Sequence, residues 1–212
     1  MGFDTALLRH HRATASRKQQ ERDFLAHLAS AGQSPDAVYI GCSDSRVVPE
    51  LLTDSEPGRL FVVRNVANLV PPLDHADASV GAALDFAVGH LRVPHLVVCG
   101  HDGCGGVLAA LEKPDLGDLP SLAEWLKGVE PAVARAGVAG SPTERCRRAV
   151  QHNVLVQLEN LLSFPIIRRA IEADKLQLHG WVYDIETLAL RVYDAELGQF
   201  VASQDVLGAA ER

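Results

Sequence analysis

Two short segments of this chain carry residue types that do chemistry when they are brought together. One reads Gly41-Cys42-Ser43-Asp44-Ser45-Arg46, the other Gly100-His101-Asp102-Gly103-Cys104-Gly105-Gly106. Each closes a short apolar run, 37–42 and 95–100, of the length and β-branched content that suit a buried strand. Open parallel sheets place ligands just outside the carboxyl ends of their strands. Two such strands side by side would therefore gather Cys42, His101 and Cys104. Two thiolates and an imidazole match tetrahedral zinc, and three protein ligands leave the fourth position free, as catalytic sites do. A metal so held acidifies bound water and supplies hydroxide near neutral pH. Two thiolates neutralise the cation and weaken that effect, so a neighbour has to help. Asp44 is placed to accept the hydrogen bond of the nucleophile, and is itself a candidate fourth metal ligand. Arg46, two residues on, would clamp Asp44 with two hydrogen bonds if the strand stays extended.

Each piece alone has a plainer explanation. A lone cysteine at a strand end is usually a small core hydrophobe. Asp44 and Arg46 make an ordinary ion pair. A glycine-rich turn between strand and helix also cradles phosphate, although G-x-x-G-x-G-G here is neither a dinucleotide fingerprint nor a P-loop. Cys42 and Arg46 are too close in sequence for a cysteine-phosphatase loop. Only the joint occurrence favours a metal site.

The elements that must position these residues are readable in outline. Residues 3–31 have helical spacing, with Phe24, Leu25 and Leu28 on one stripe before Gly32. Strands are predicted at 37–42, 60–66, 95–100, 176–183 and 189–194. Helices are predicted at 79–91, 105–112, 120–136 and 143–162. Strand and helix alternate through 37–113, which implies right-handed crossovers and an α/β fold: a mostly parallel central sheet flanked by helices, with an N-terminal helical arm. Loop 66–78, with Pro71-Pro72, is long enough to be a wall of the site.

With 212 residues, 47% apolar and 22% charged, the chain can bury a proper core as one domain. A net charge of −7 with no basic run argues against nucleic acid as a partner. No stretch is apolar for the ~18 residues a membrane span needs, and the start has no secretory h-region. Gly2 is not followed by Ser or Thr at position 6, so a myristoylation motif fails. The four cysteines, Cys42, Cys99, Cys104 and Cys146, are expected to be reduced thiols or ligands, in a cytoplasmic protein.

Taken in order along the chain, the motifs resemble the β-class carbonic anhydrases, and the resemblance covers almost all of it. The family's C-x-D-x-R pattern is similar to Cys42-Ser43-Asp44-Ser45-Arg46, and its H-x-x-C-G pattern to His101-Asp102-Gly103-Cys104-Gly105. Between them stand Glu56-Pro57-Gly58 and the segment from Arg64-Asn65 to Pro71-Pro72, and later His179-Gly180-Trp181-Val182-Tyr183-Asp184. The resemblance implies one domain over residues 1–212, the arm ending near residue 31. It implies one Zn²⁺ per subunit on Cys42, His101 and Cys104, with Asp44 and Arg46 as the catalytic dyad. Gln33 would donate a hydrogen bond to substrate, Phe61 and Val66 would line an apolar cleft, and Gly105 would lie against the substrate. The implied reaction is reversible hydration of CO₂ to bicarbonate and a proton, in a homodimer or homotetramer whose Gln33 serves the partner's site.

Two departures accompany it. Asp85-Phe86 replaces the Glu-Tyr of many members, removing a cleft hydroxyl. Some members hold bicarbonate at a second pocket of Trp, Arg and Tyr, where this chain has Tyr39, Arg64 and Tyr183. The double proline resembles members without that control, so an open site is expected. A hydrolase of carbonyl sulfide or carbon disulfide on the same fold, or a non-catalytic zinc-binding protein, are the alternative readings. His75, Asp102 and solvent buffer are candidate proton carriers.

Overall fold

A computed structural model describes residues 3–75 and 77–210, with two compact units, Met1–Ser34 and Pro35–Arg212. The first unit holds α1 (Phe3–Ser16) and α2 (Gln19–Ala31). The single helix expected over 3–31 is thus broken. Lys18 is extended, and the hydroxyl of Ser16 turns back onto the Ala13 carbonyl, the local competition that ends helices. Gly32, at φ 78°, closes α2.

The second unit runs β1 (Ala37–Cys42), α3 (Pro49–Thr53), β2 (Leu60–Asn65), α4 (Ala78–Leu84), β3 (His95–His101), α5 (Gly105–Glu112), α6 (Pro120–Leu126), α7 (Glu130–Ala136), α8 (Pro142–Leu161), α9 (Pro165–Glu172), β4 (Gln177–Tyr183), β5 (Leu190–Asp194), β6 (Gln199–Ala202) and α10 (Ser203–Ala210). Among the described residues one sheet has the order β2-β1-β3-β4-β5-β6, the first four strands parallel and the last two antiparallel. The fold is the expected α/β arrangement with a mostly parallel sheet. Loop 66–78 is not slack, because 3₁₀ turns at Val66–Asn68 and Leu73–His75 fold it up. The strand expected over 60–66 accordingly stops at Asn65. α3, α9, β6 and α10 are not among the expected elements, although α9 carries Ile166, Ile167, Ala170 and Ile171 at helical spacing.

The main core fills one face of the sheet, and Tyr39, Val97 and Cys99 form a smaller buried cluster on the other. Val38 and Ile40 of β1, Leu96 and Val98 of β3, and Val182 of β4 pack against Val150, Val154 and Leu161 of α8. That helix starts at a capping box, in which Ser141 and Glu144 satisfy each other's backbone N–H, with Pro142 at the first helical position. It lies close on the sheet because Gly100 and Gly180 have no side chains to hold it off. A Cβ on Gly100 would stand 2.9 Å from Val154 Cγ2, and one on Gly180 would stand 3.0 Å from Leu158 Cδ1.

Candidate metal centre

β1 and β3 are paired with Gly41 opposite Cys99, so the chain leaves both strands at the same edge of the sheet. Cys42 closes β1, His101 closes β3, and Cys104 is the N-cap of α5. Their ligand atoms all lie within 4.8 Å of one another, and the two sulfurs are 3.8 Å apart. All three residues are buried, at 5%, 1% and 1% exposure. His101 Nδ1 faces the Asp102 carbonyl at 3.0 Å, which assigns the ring proton to Nδ1 and leaves the Nε2 lone pair free. Nε2 is buried and, among the described residues, has no hydrogen-bond partner. A buried acceptor without a partner is costly, and a cation between it and the sulfurs removes that cost. The donor set therefore fits zinc.

The sulfurs make the same point electrostatically. Cys42 is pulled well below the ordinary thiol range, first by the hydrogen bond with Cys104. Burial opposes the shift, while His101 and the peptide N–H groups of Asp44 and Ala67 add to it. Cys104 is pushed up, first by the bond to Cys42 and then by burial, although the N–H groups of Gly106 and Val107 favour its thiolate. These opposite shifts express one conflict: two thiolates this close repel, so one keeps its proton. A divalent cation lets both ionise.

Asp44 and Arg46 form the expected clamp, but for a different reason. β1 ends at Cys42, and the chain then turns, so that the Arg46 backbone N–H donates to Asp44 Oδ1 at 3.0 Å. The same turn brings Arg46 Nε to Oδ1 at 2.9 Å and Nη2 to Oδ2 at 2.6 Å. The Arg46 side-chain hydrogen bonds hold the Asp44 carboxyl well below the usual carboxylate range. Its Oδ2 stands 3.7 Å from His101 Nε2, at the mouth of the trio.

The remaining predicted residues divide. Val66, 37% exposed, begins the turn beside Gly106, where a Cβ would meet its Cγ1 at 2.9 Å. Gly105 opens α5 with nothing within 4 Å of its Cβ position. Phe61 is not brought to the trio. It precedes Asn65, the partner of Cys42, by four residues along β2, about 13 Å at 3.3 Å per residue, and packs near Phe86 with ring centroids 6.1 Å apart. Gln33 belongs to the first unit. Arg64 donates to the carbonyls of Cys42, Asp44 and Val47 at 3.0, 2.6 and 2.7 Å, tying the turn after β1 to β2. The Tyr39 hydroxyl is buried without a partner among the described residues.

Two supports of the site escaped the sequence reading. Asp102, whose carbonyl orients His101, donates its N–H to Tyr183 O at 2.9 Å. Its carboxylate is held by Arg191 Nη2 at 2.6 Å, with Arg147 Nε at 3.6 Å. The turn at 66–70 is held by Asn153, Gln157 and Asn160 of α8. The readable sign of the second was three amides at i, i+4 and i+7, interleaved with the apolar stripe Val150, Val154, Leu158 and Leu161.

Comparison with known proteins agrees with this geometry. A family model described as carbonic anhydrase matches residues 37–190. A carbonic anhydrase of Pseudomonas aeruginosa is 45% identical over 183 residues, covering 85% of this chain and 83% of its own length. The structure of the β-carbonic anhydrase CcaA superposes with a TM-score of 0.87 at 36% identity, over 94% of this chain and 91% of that one. One of two tetrameric β-carbonic anhydrases from the ascomycete Sordaria macrospora gives a TM-score of 0.81 at 33% identity, over 94% and 98%.

Proposed function

The chain belongs to the β-carbonic anhydrase family, and from that premise we propose how its own residues carry out the reversible hydration of CO₂ to bicarbonate and a proton. Cys42, His101 and Cys104 would hold one Zn²⁺ per subunit. When bound, the metal supplies a Lewis acid that makes water nucleophilic at neutral pH. Asp44, kept ionised by Arg46, accepts the hydrogen bond of the nucleophile beside His101 and so turns a lone pair toward the substrate carbon. Arg46 engages both Asp44 oxygens and would hold the carboxylate off the metal. Val66 gives CO₂ an apolar wall, and the open space at Gly105 leaves room for bicarbonate. The proton leaves to solvent buffer.

Gln33 and Phe61 serve the site of a second copy, which makes the working form a homodimer or a homotetramer. The distance of Phe61 from its own trio and the tetrameric relatives of Sordaria macrospora support that reading. The whole chain acts as one domain, in the cytoplasm. Among the described residues no helix is long and apolar enough to cross a membrane, and four buried, unpaired cysteines suit a reducing compartment.

The observation that carries the proposal is the buried His101 Nε2, unpartnered among the described residues, in one cluster with the Cys42 and Cys104 sulfurs and with an Arg-clamped carboxylate 3.7 Å away. Stopped-flow CO₂ hydration before and after metal stripping, with carbonyl sulfide and carbon disulfide as competitors, tests it. Turnover lost on stripping, restored by Zn²⁺ and absent in Cys42→Ser is expected. Normal turnover in Cys42→Ser refutes the ligand assignment.

A further inference from the structure

The turn after β2 is built against its own preferences. Ala67 sits at φ 62°, ψ 22° and Asn68 at φ 50°, two consecutive left-handed residues where neither is glycine. Asn adopts that conformation readily, but Ala takes it only when the surroundings impose it. Here the surroundings are almost wholly side chains. Trp125 Nε1 donates to Val66 O at 2.8 Å, and Asn153 Nδ2 to Ala67 O at 2.8 Å. Asn65 brackets Leu69, accepting its N–H at 2.6 Å and donating to its carbonyl at 2.8 Å. Gln157 Oε1 accepts the Val70 N–H at 2.8 Å, and Asn160 Nδ2 donates to Val70 O at 2.9 Å. Gln157 also donates to Asn153 Oδ1 at 3.0 Å, and both amides are 1% exposed.

The peptide joining Val66 to Ala67 is the one that matters. Its carbonyl is held by Trp125, and the turn it opens lies against both sulfur-bearing segments: Asn65, just before it, pairs with Cys42, and a Cβ on Gly106 would stand 2.9 Å from Val66 Cγ1 and 3.1 Å from Ala67 Cβ. Asn153 holds the next carbonyl, so the left-handed angles of Ala67 are fixed from both sides. We propose that Trp125 and Asn153, with Gln157 behind them, are positioning residues of the metal centre: they hold the Val66–Ala67 turn against the end of β1 that carries Cys42 and the start of α5 that follows Cys104. The inference rests on Cys42 being a metal ligand. Groups that fix ligands from behind carry a large share of metal retention.

The test is Trp125→Phe, which keeps the ring and deletes the donor, with Asn153→Ala as the second variant. Each is made in the full chain and loaded with zinc or with cobalt. About tenfold faster zinc release to a chelator is expected, with full metal stoichiometry and a shifted cobalt–thiolate charge-transfer band. A structural role alone would lower the melting temperature of the metal-free protein and leave release rate and band unchanged, and that result overturns the proposal. Cys42→Ser separates the premise from the inference. If that variant keeps zinc and the parent cobalt band, the ligand reading fails. If it loses metal while Trp125→Phe behaves as the parent, only the positioning role fails.

Discussion

Gly100→Ala should loosen the metal site without touching any ligand. The added methyl would stand 2.9 Å from Val154 Cγ2 and 3.1 Å from Val150 Cγ1. Ordinary carbon contacts lie at roughly 3.5–4.0 Å, so α8 must back away from β3, or β3 must bow, by about 0.5–1 Å. Overpacking of this size costs about 1–3 kcal/mol. In a chain of 212 residues that corresponds to a fall of about 2–12 °C in melting temperature. The strand end that would bow is the one carrying His101, so zinc retention should weaken together with stability. Val154→Ala removes the clashing methyl and by itself opens a small cavity, costing about 2 kcal/mol. In the double variant each change relieves the other, and the pair should be milder than the sum by about 1–2 kcal/mol. Urea unfolding of the four proteins, zinc-loaded and chelated, reads both quantities. Strict additivity, or a Gly100→Ala variant within 0.5 kcal/mol of the parent, would refute the close packing of α8 on Gly100 as the cause.

Further outcomes follow from the site. Asp44→Asn should keep its zinc but lose about 100-fold or more in kcat, the usual scale for a positioned proton acceptor; full activity would sink the orienting role. Because Arg46 lowers the Asp44 pKa in the folded state, the stability Asp44 contributes is present above the ordinary carboxylate value of about 4 and is lost as pH falls below it. The gap in unfolding midpoint between parent and Asp44→Asn should therefore close in acid, and a gap constant with pH contradicts the linkage. Arg191→Leu leaves the Asp102 carboxylate, 16% exposed, with Arg147 alone at 3.6 Å; zinc affinity by chelator competition should drop about 10–100-fold, and unchanged affinity would remove Arg191 from the support of His101. Burial pushes the Cys99 thiol up to about 12, so peptide mapping after alkylation at pH 8 should find Cys99 unmodified in the folded protein. In chelated protein Cys42 should react ahead of Cys104, and the reverse order would contradict their opposite shifts.

The parts of the site that were legible are those encoded by local pattern. The runs ending in Cys42 and His101 read as buried strands because both faces are covered, and their shared edge follows from parallel crossovers. The Asp44–Arg46 pair was visible as a motif, yet its geometry was not: the bidentate clamp depends on a turn that the extended-strand argument did not contain. The break at Arg17-Lys18 was hidden because helical periodicity continues across it. The supports of the site were least legible of all. Arg191 meets Asp102 across 89 residues, and Asn153 meets the Ala67 carbonyl across 86. No local spacing reports such pairings, and an amide in a helix stripe shows only that something polar must answer it.

The distribution of those supports has a thermodynamic consequence. The three ligands come from a stretch of little more than sixty residues, Cys42 to Cys104, yet the groups that aim them come from farther along the chain. Trp125, Asn153 and Gln157 hold the turn that faces Cys42, and Tyr183 and Arg191 hold the peptide that orients His101. The ligand set cannot be assembled by β1 and β3 alone; α8, β4 and β5 must already be docked. Metal affinity and folding of the whole 37–194 region are then one linked equilibrium. Loosening α8 anywhere along its contact with the sheet should appear as faster zinc loss, and bound zinc should in turn protect amides of β5 that lie on no ligand-bearing strand. Native-state hydrogen exchange of Arg191, Val192 and Tyr193 with and without zinc measures that coupling, and equal protection in the two states would show the ligand segment to be self-sufficient.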